Sequence, residues 1–251
     1  MTPRNDLSDA TAIVVGASRG LGRGIATALA QAGAPVVAVA RSSATLAELV
    51  PGAGTIQPEA ADAADATVAG RLLDRYDPQT VVLVAGANPL MRPLQHQTWE
   101  TFSVNWQTDV RIAFHWLREA LLKPLRPGSR VIVVSSGAAV AGSPLSGGYA
   151  GAKATQRFIT GYAQEEARRG GLGITFTAVL PRLTPKTDLG LPAVRAYAAR
   201  NGQSEEEYLE RFGEPVTPEI AGTAVVELVQ ADAPSVASAY MLSGAGLQEL
   251  A

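Results

Sequence analysis

Ala12-Ile13-Val14-Val15-Gly16-Ala17-Ser18-Arg19-Gly20-Leu21-Gly22 is the stretch whose reading decides the fold. An apolar run leads into three closely spaced glycines, and an alanine-rich stretch follows through about Ala32. The pattern predicts a strand, a glycine turn and a helix. Glycines permit a tight turn and close backbone approach, and the free amides at the positive end of a helix suit a pyrophosphate. Gly16, Ser18, Arg19, Gly20, Leu21 and Gly22 are therefore candidate cofactor contacts. The spacing is Gly-x-x-x-Gly-x-Gly rather than Gly-x-Gly-x-x-Gly. Taken alone, a structural turn with no ligand fits it equally well.

Outward from that turn, short Val/Ile/Leu-rich runs recur near 11–16, 35–40, 80–85, 130–135, 174–180 and 239–242, with a weaker strand near 54–57. Helical patterns fall between them at about 20–33, 65–75, 98–122, 149–169 and 218–230. Strands of continuous apolar character are expected where both faces of a sheet are buried, so the alternation predicts an α/β fold: one doubly wound parallel sheet with helices on both faces. A chain of 251 residues with 47% hydrophobic residues can bury a substantial core as one domain spanning 1–251. Pro51-Gly52 and Pro127-Gly128 read as loops, and there is no internal repeat or low-complexity linker.

A second cluster lies at Tyr149-Ala-Gly-Ala-Lys153, with Ser135 and Ser136 just upstream at the end of the run Val131-Ile132-Val133-Val134. Residues four apart on a helix share a face, so Lys153 can hold a positive charge near the Tyr149 hydroxyl. A phenol titrates near ~10 when unperturbed. A neighbouring cation favours the phenolate and brings the group toward the range in which a general acid or base works best. Tyr149 then protonates a carbonyl oxygen or deprotonates an alcohol, and Ser136 hydrogen-bonds the same oxygen and stabilises developing charge. A Tyr-x-x-x-Lys spacing by itself is more often a solvated helix face; the glycine turn beside it gives it weight.

With both clusters in view, the chain resembles the short-chain dehydrogenase/reductase family in its form of about this length, from roughly Leu7 to the C-terminus. Gly16, Gly20 and Gly22 match the family's cofactor turn, and Ser136, Tyr149 and Lys153 match its catalytic residues at the expected separation. Asn105, in Ser103-Val104-Asn105-Trp106, matches the helix asparagine that in the family helps hold a water-linked proton relay to the lysine. Asp62 falls where the family has an acidic residue facing the adenine, and Ala85-Gly86 matches the second half of the segment after the fourth strand. Pro181 matches the proline after the sixth strand, beside the nicotinamide. The resemblance implies a Rossmann-like fold, a nicotinamide cofactor, a catalytic set of Asn105, Ser136, Tyr149 and Lys153 (the last also orienting the cofactor ribose), and assembly into a homodimer or homotetramer. Two departures stand out. Leu83 and Val84 replace the family's two asparagines, which removes a side-chain hydrogen bond steadying the sheet, and Arg182 replaces the usual glycine after Pro181, placing a charge near the substrate entrance.

Cofactor choice turns on the end of the second strand, where an acidic residue would bind both ribose hydroxyls and repel a 2′-phosphate. This chain has Ala40 and then Arg41, with Arg19 in the glycine turn able to approach from the other side. Guanidinium groups suit phosphate by their planar donor fork. The expectation is NADP(H) over NAD(H), with solvated arginines as the plain alternative.

A net charge of −2 with scattered basic residues points away from a nucleic-acid surface. No metal site is expected: there are no cysteines, and His96 and His115 are far apart, read as a polar loop residue and a helix residue at a packing surface. No apolar run approaches the ~20 residues of a membrane span, and the first residues lack the apolar core of a signal peptide. The expectation is a soluble cytoplasmic protein acting on a small carbonyl or alcohol.

The segment from Leu183 to Pro218 is the least regular, with Pro185, Pro192, Pro215 and the charged stretch Ser204–Arg211. The family's corresponding insertion covers the substrate. Here Leu189, Leu191, Val194, Tyr197, Tyr208, Leu209 and Phe212 offer an apolar lining for such a lid, the plain alternative for the charged stretch being a solvated helix face. Ala138, Ala139, Val140, Pro144 and Leu145 give the pocket an apolar lean, while Arg182 or Arg92 suits a carboxylate or phosphate. Trp99, Trp106 and Trp116 read as core or interface anchors, and the stripes Ile112, Trp116, Leu117 and Phe158, Ile159, Tyr162 fit either an oligomer interface or the core. Three readings of function result: an NADP(H)-dependent oxidoreductase interconverting a ketone and a secondary alcohol; a non-catalytic nucleotide-sensing or scaffold protein; and a non-redox lyase such as a dehalogenase. Retention of all four catalytic residues speaks against the second. The third typically has arginine at the position of Lys153.

Overall fold

The computed structural model describes residues 7–49 and 55–250; the expectations for the first six residues, for the loop at 51–52 and for the start of the strand at 54 lie outside them. In chain order the elements are β1 (Ala12–Val15), α1 (Gly20–Gln31), β2 (Val36–Ala40), α2 (Ser43–Ala47), β3 (Ile56–Ala60), α3 (Ala66–Tyr76), β4 (Thr80–Leu83), α4 (Trp99–Asn105), a π turn (Trp106–Val110), α5 (Arg111–Leu122), β5 (Arg130–Val134), α6 (Ala138–Ala141), α7 (Gly147–Arg169), β6 (Thr175–Pro181), α8 (Gly190–Asn201), α9 (Glu205–Glu210), α10 (Pro218–Gln230), β7 (Ala239–Ser243) and β8 (Gly246–Glu249). The strands form one sheet in the order β3-β2-β1-β4-β5-β6-β7-β8. All neighbours are parallel except the β7–β8 hairpin, so the doubly wound parallel sheet is as expected, with one antiparallel strand added at its edge. Gly246, at φ 101°, turns that hairpin tightly, and the exposed polar residues of Gly-Leu-Gln-Glu gave no apolar run to read.

Side chains alternate across each strand, which is why continuous apolar runs are needed to cover both faces. Val14, Val36, Ala38, Val82, Ile132 and Val179 pack against Ile25, Ala26 and Leu29 of α1 and Ala221, Val225 and Leu228 of α10. Ile13, Val15, Val37, Val39, Val81, Val133 and Phe176 face the other way, onto Val68 and Leu72 of α3, Ile112 and Trp116 of α5 and Ala163 of α7. Four helix starts have side-chain caps, each satisfying an amide that the first turn leaves unpaired, Ser204 accepting from Glu207 N at α9. Asp65 accepts from Thr67 N at α3, Thr98 from Thr101 N at α4 and Thr217 from Ile220 N at α10, where Pro218 begins the helix.

The long helix expected over 98–122 is three pieces, because the chain widens into a π turn at 106–110. Of the tryptophans, only Trp116 is core; its indole N–H donates to the Ala63 carbonyl at 3.3 Å, while Trp99 and Trp106 are exposed. Ile112, Trp116 and Leu117 likewise belong to the core, whereas Phe158 and Tyr162 are exposed on α7. His96 sits exposed in a short 3-10 turn, and the half-buried His115 packs edge-on against Phe114. No helix among the described residues is long and apolar enough to cross a membrane.

Phe176 has no exposed surface at the centre of the second layer. Phe176→Ala is expected to destabilise the protein by about 3–5 kcal/mol, measured by chemical denaturation; a loss under 1 kcal/mol would refute the packing described.

Candidate active site

The carboxyl ends of β1, β4, β5 and β6 open into a cleft of about 990 Å³. At its floor the chain leaves β1 at Gly16, whose φ of 93° and approach to the Ala85 backbone leave no room for a side chain. A Cβ at Gly22 would meet the Gly16 carbonyl at 2.0 Å, so the helix start packs directly on the turn. Helix α1 has no side-chain cap and no acidic residue in its first turn, which leaves its amides for an anionic ligand. Gly16, Ser18, Arg19, Gly20, Leu21, Gly22, Arg41, Asp62, Ala85, Gly86 and Pro181 all line the cleft. A glycine-floored cradle under an uncapped helix fits the pyrophosphate of a dinucleotide.

Two of these residues have their own partners. Arg19 pairs with Asp188 at 3.0 Å, both exposed, linking the glycine turn to the segment after β6. Asp62 accepts a 3.0 Å hydrogen bond from Ala64 N. Arg41 has no ion pair among the described residues.

Ser136, Tyr149 and Lys153 come together at the inner wall. The two serines at the end of β5 point to different tasks. Ser135 Oγ is buried and donates to the Lys153 carbonyl at 2.7 Å, tying α7 to the strand; Ser136 lines the cleft beside Tyr149, its Oγ accepting from Ala138 N at 3.2 Å. Lys153 Nζ lies 5.5 Å from the centre of the Tyr149 ring. Burial pushes the Tyr149 phenol up; the Lys153 charge and the Ser136 hydroxyl pull it back, and Asp109 and Tyr197 add to the upward push. The expectation that Lys153 brings the phenol below its ordinary value is therefore corrected: desolvation is the larger effect, and the cation only moderates it.

Asn105 stands apart from Lys153. Its Nδ2 donates to the Ala87 carbonyl at 2.7 Å and to Asp109 Oδ1 at 3.3 Å, and its Oδ1 is buried with no partner among the described residues. Asp109, which the sequence reading did not single out, takes the place beside the lysine: its Oδ2 is 3.0 Å from Lys153 Nζ, with neither side chain more than 5% exposed. Gln156 Oε1 accepts from Lys153 Nζ at 2.9 Å and its Nε2 donates to the Asp109 carbonyl at 2.9 Å. Burial works against the Lys153 charge, but Asp109 and Tyr149 outweigh it and hold the ammonium above the usual lysine value. The available signal was slight: an acidic residue four positions after Asn105, set among the polar residues Gln107, Thr108 and Arg111.

The sheet-steadying bond expected to be lost with Leu83 and Val84 is supplied from the helix side, where Asp109 Oδ1 accepts from Ala87 N at 2.8 Å. Arg182 lines the cleft with its side chain exposed, while Arg92 does not reach it. Ala138, Val140 and Pro144 line the pocket; Ala139 instead packs on Ala178 and Leu180, and Leu145 is buried behind the wall. In the segment 183–218 Leu189, Tyr197, Tyr208 and Phe212 line the cleft, whereas Val194 and Leu209 hold α8 and α9 together and Leu191 points to solvent. Tyr197 was expected as apolar lining, yet its hydroxyl hydrogen-bonds Ser143 and lies 3.3 Å from Ser146 Oγ, fastening α8 to the loop before Tyr149.

The sequence profile of the short chain dehydrogenase family matches residues 10–196. The chain belongs to this family. It is 33% identical over 189 residues to an uncharacterized oxidoreductase of Mycobacterium tuberculosis, covering 71% of this chain and 68% of that one. It is 31% identical over 133 residues to carbonyl reductase [NADPH] 2 of Sus scrofa, covering 52% and 54%. A dehydrogenase/reductase structure from Sinorhizobium meliloti superposes with a TM-score of 0.79 over 95% of both chains at 24% identity, a likeness of fold. The family uses nicotinamide cofactors, and the chain is an oxidoreductase of it acting at a carbonyl or alcohol group.

Removing one oxyanion-stabilising donor costs about 10²–10³ in turnover. Ser136→Ala is expected to lose that much kcat with cofactor affinity kept, whereas Ser135→Ala is expected to lower thermal stability first. Equal loss of kcat in both variants would overturn the division of roles.

Proposed function

We propose that this short chain dehydrogenase is an NADP(H)-dependent oxidoreductase interconverting a ketone and a secondary alcohol. The observation that carries the reading is the convergence of Ser136, Tyr149 and Lys153 on the wall of the glycine-floored cleft. A bound nicotinamide supplies the hydride in reduction and accepts it in oxidation. In reduction Tyr149 gives its hydroxyl proton to the carbonyl oxygen, and Ser136 hydrogen-bonds that oxygen and stabilises its developing charge. Lys153 keeps a positive charge beside the phenol and orients the cofactor ribose. Asn105 holds the Ala87 loop under the site. Arg41, at the end of β2 where an acidic residue would exclude a 2′-phosphate, supports NADP(H); Arg19 lines the same cleft but is paired with Asp188.

The test is NADPH oxidation across ketones, keto esters, quinones and keto acids, with Tyr149→Phe as the blank. Turnover lost in the variant is expected and names the substrate class. NADPH binding with no turnover on any member of the panel favours the sensor reading. Arg41→Asp is expected to shift preference toward NADH; equal affinities of the native protein for both cofactors would sink the argument from Arg41.

The same reading makes α8 and α9 a substrate lid within a single catalytic domain. Tyr197 and Tyr208 stack with centroids 6.0 Å apart, and the Tyr197 hydroxyl latches the pair onto the Ser143–Ser146 loop. A neutral hydrogen bond contributes about 0.5–1.5 kcal/mol, so Tyr197→Phe is expected to raise KM by about 2- to 10-fold without changing NADPH affinity. An unchanged KM would count against the lid.

A further inference from the structure

Asp109 has no exposed surface, and nothing in the chemistry of the three catalytic side chains accounts for a carboxylate there. The chain has made room for it. A Cβ at Gly86 would meet Asp109 Oδ2 at 2.6 Å, so the glycine after β4 is what lets the carboxylate approach the loop. One oxygen accepts from Ala87 N at 2.8 Å and the other sits 3.0 Å from Lys153 Nζ. Gln156 closes the circuit, accepting from the same ammonium and donating to the Asp109 backbone. Lys153 Nζ donates to Gln156 Oε1 and has the Asp109 carboxylate as its ion-pair partner, which together fix the Lys153 head group.

We propose that Asp109 is the counter-ion of this active site, a positioning residue that clamps Lys153 and offsets its charge so that Tyr149 stands as a neutral phenol, the proton donor needed for carbonyl reduction. The inference rests on the oxidoreductase reading above. The charged and titratable groups around the phenol are Lys153 on its own helix, Asp109 from the π turn and Tyr197 from α8; Ser136 and the 85–87 loop contribute only a hydroxyl and backbone groups. The sign follows from charge. With Asp109 present, the field at Tyr149 is that of an ion pair, and burial prevails in keeping the phenol protonated. With Asp109 neutralised, an uncompensated ammonium faces the phenol and favours the phenolate.

The experiment titrates the near-ultraviolet phenolate absorbance of Tyr149 in the protein without substrate or cofactor, taking the difference from a Tyr149→Phe partner in each background. Asp109→Asn is expected to move the apparent midpoint acidward by about one pH unit. The alkaline limb of alcohol oxidation with NADP⁺ is expected to move with it. An unmoved or alkaline-shifted midpoint in folded Asp109→Asn overturns the proposal, since a purely structural carboxylate leaves the phenol where it was. Should Asp109→Asn fail to fold, Gln156→Glu sets a second carboxylate against Lys153 and is expected to move the midpoint alkaline; no movement there overturns the proposal equally. A midpoint that moves as expected in a protein without turnover on any carbonyl would count against the oxidoreductase reading and leave the electrostatic role of Asp109 standing.

Discussion

The active site depends on the register of the parallel sheet. Val15 is level with Leu83, Leu83 with Val133, and Val133 with Ala178, so β1, β4, β5 and β6 end along one edge. Every chain segment that leaves those strands turns into the same cleft: the glycine turn after β1, the Ala85–Ala87 loop after β4, Ser135–Ser136 after β5 and Pro181–Arg182 after β6. In a parallel sheet such an edge is where ligands bind, because helix starts and loop amides collect there. A one-residue slip of β5 would exchange the two faces, turning Ser136 away from the cleft and Ser135 away from α7. The Val131–Val134 run is apolar on both faces, so the polar residues at its ends hold the register: Arg130 donates to the Ala231 carbonyl and Ser135 Oγ to the Lys153 carbonyl.

On that scaffold the site concentrates its charge in one buried pair. An ion pair out of water stands only if its remaining hydrogen-bonding groups are satisfied, and removal of one partner from such a pair costs about 3–5 kcal/mol. Gln156 accepts from Lys153, Ala87 N and Asn105 Nδ2 donate to Asp109 Oδ1, and Asp109 Oδ2 faces the ammonium itself. Their dipole also limits how strongly Lys153 acts on Tyr149, which explains why a phenol so close to an ammonium is still pushed up by burial. Proximity to a cation does not decide the direction; the balance of desolvation and net local charge does.

The sheet was legible because strands buried on both faces must be apolar throughout, and the glycine turn because it sits between such a strand and an alanine-rich helix and gains its meaning beside the Tyr149–Lys153 pair. Ser136, Tyr149 and Lys153 were legible from spacing along one strand end and one helix. What escaped was of another kind. β8 is polar and short, α2 and α6 are four or five residues long, and the middle of 98–122 has a continuous helical pattern that conceals its π turn. Asp109 and Gln156 are polar residues whose meaning lies in partners far away in sequence; Asp109 and Lys153 are 44 positions apart, 153 less 109. Tyr197 was read by its ring and not by its hydroxyl, since the Ser143 partner belongs to a loop that no periodicity places beside α8.

The π turn explains how one stretch of helix serves both layers. A widened turn adds a residue and rotates everything beyond it by roughly 100° relative to an uninterrupted α-helix. Before it, Asn105 faces the Ala87 loop; within it, Asp109 faces the same loop and Lys153; beyond it, Ile112, Ala113 and Trp116 face the core. In a regular helix Asn105, Ile112 and Trp116 would fall near one stripe, at spacings of seven and four, and the polar group would have to share the apolar seam. The extra residue separates these demands. It also turns the Asp109 carbonyl toward Gln156 Nε2, so the irregular backbone group is satisfied by the residue that holds Lys153. The irregularity in the helix and the clamp on the lysine are therefore one device: neither is satisfied without the other.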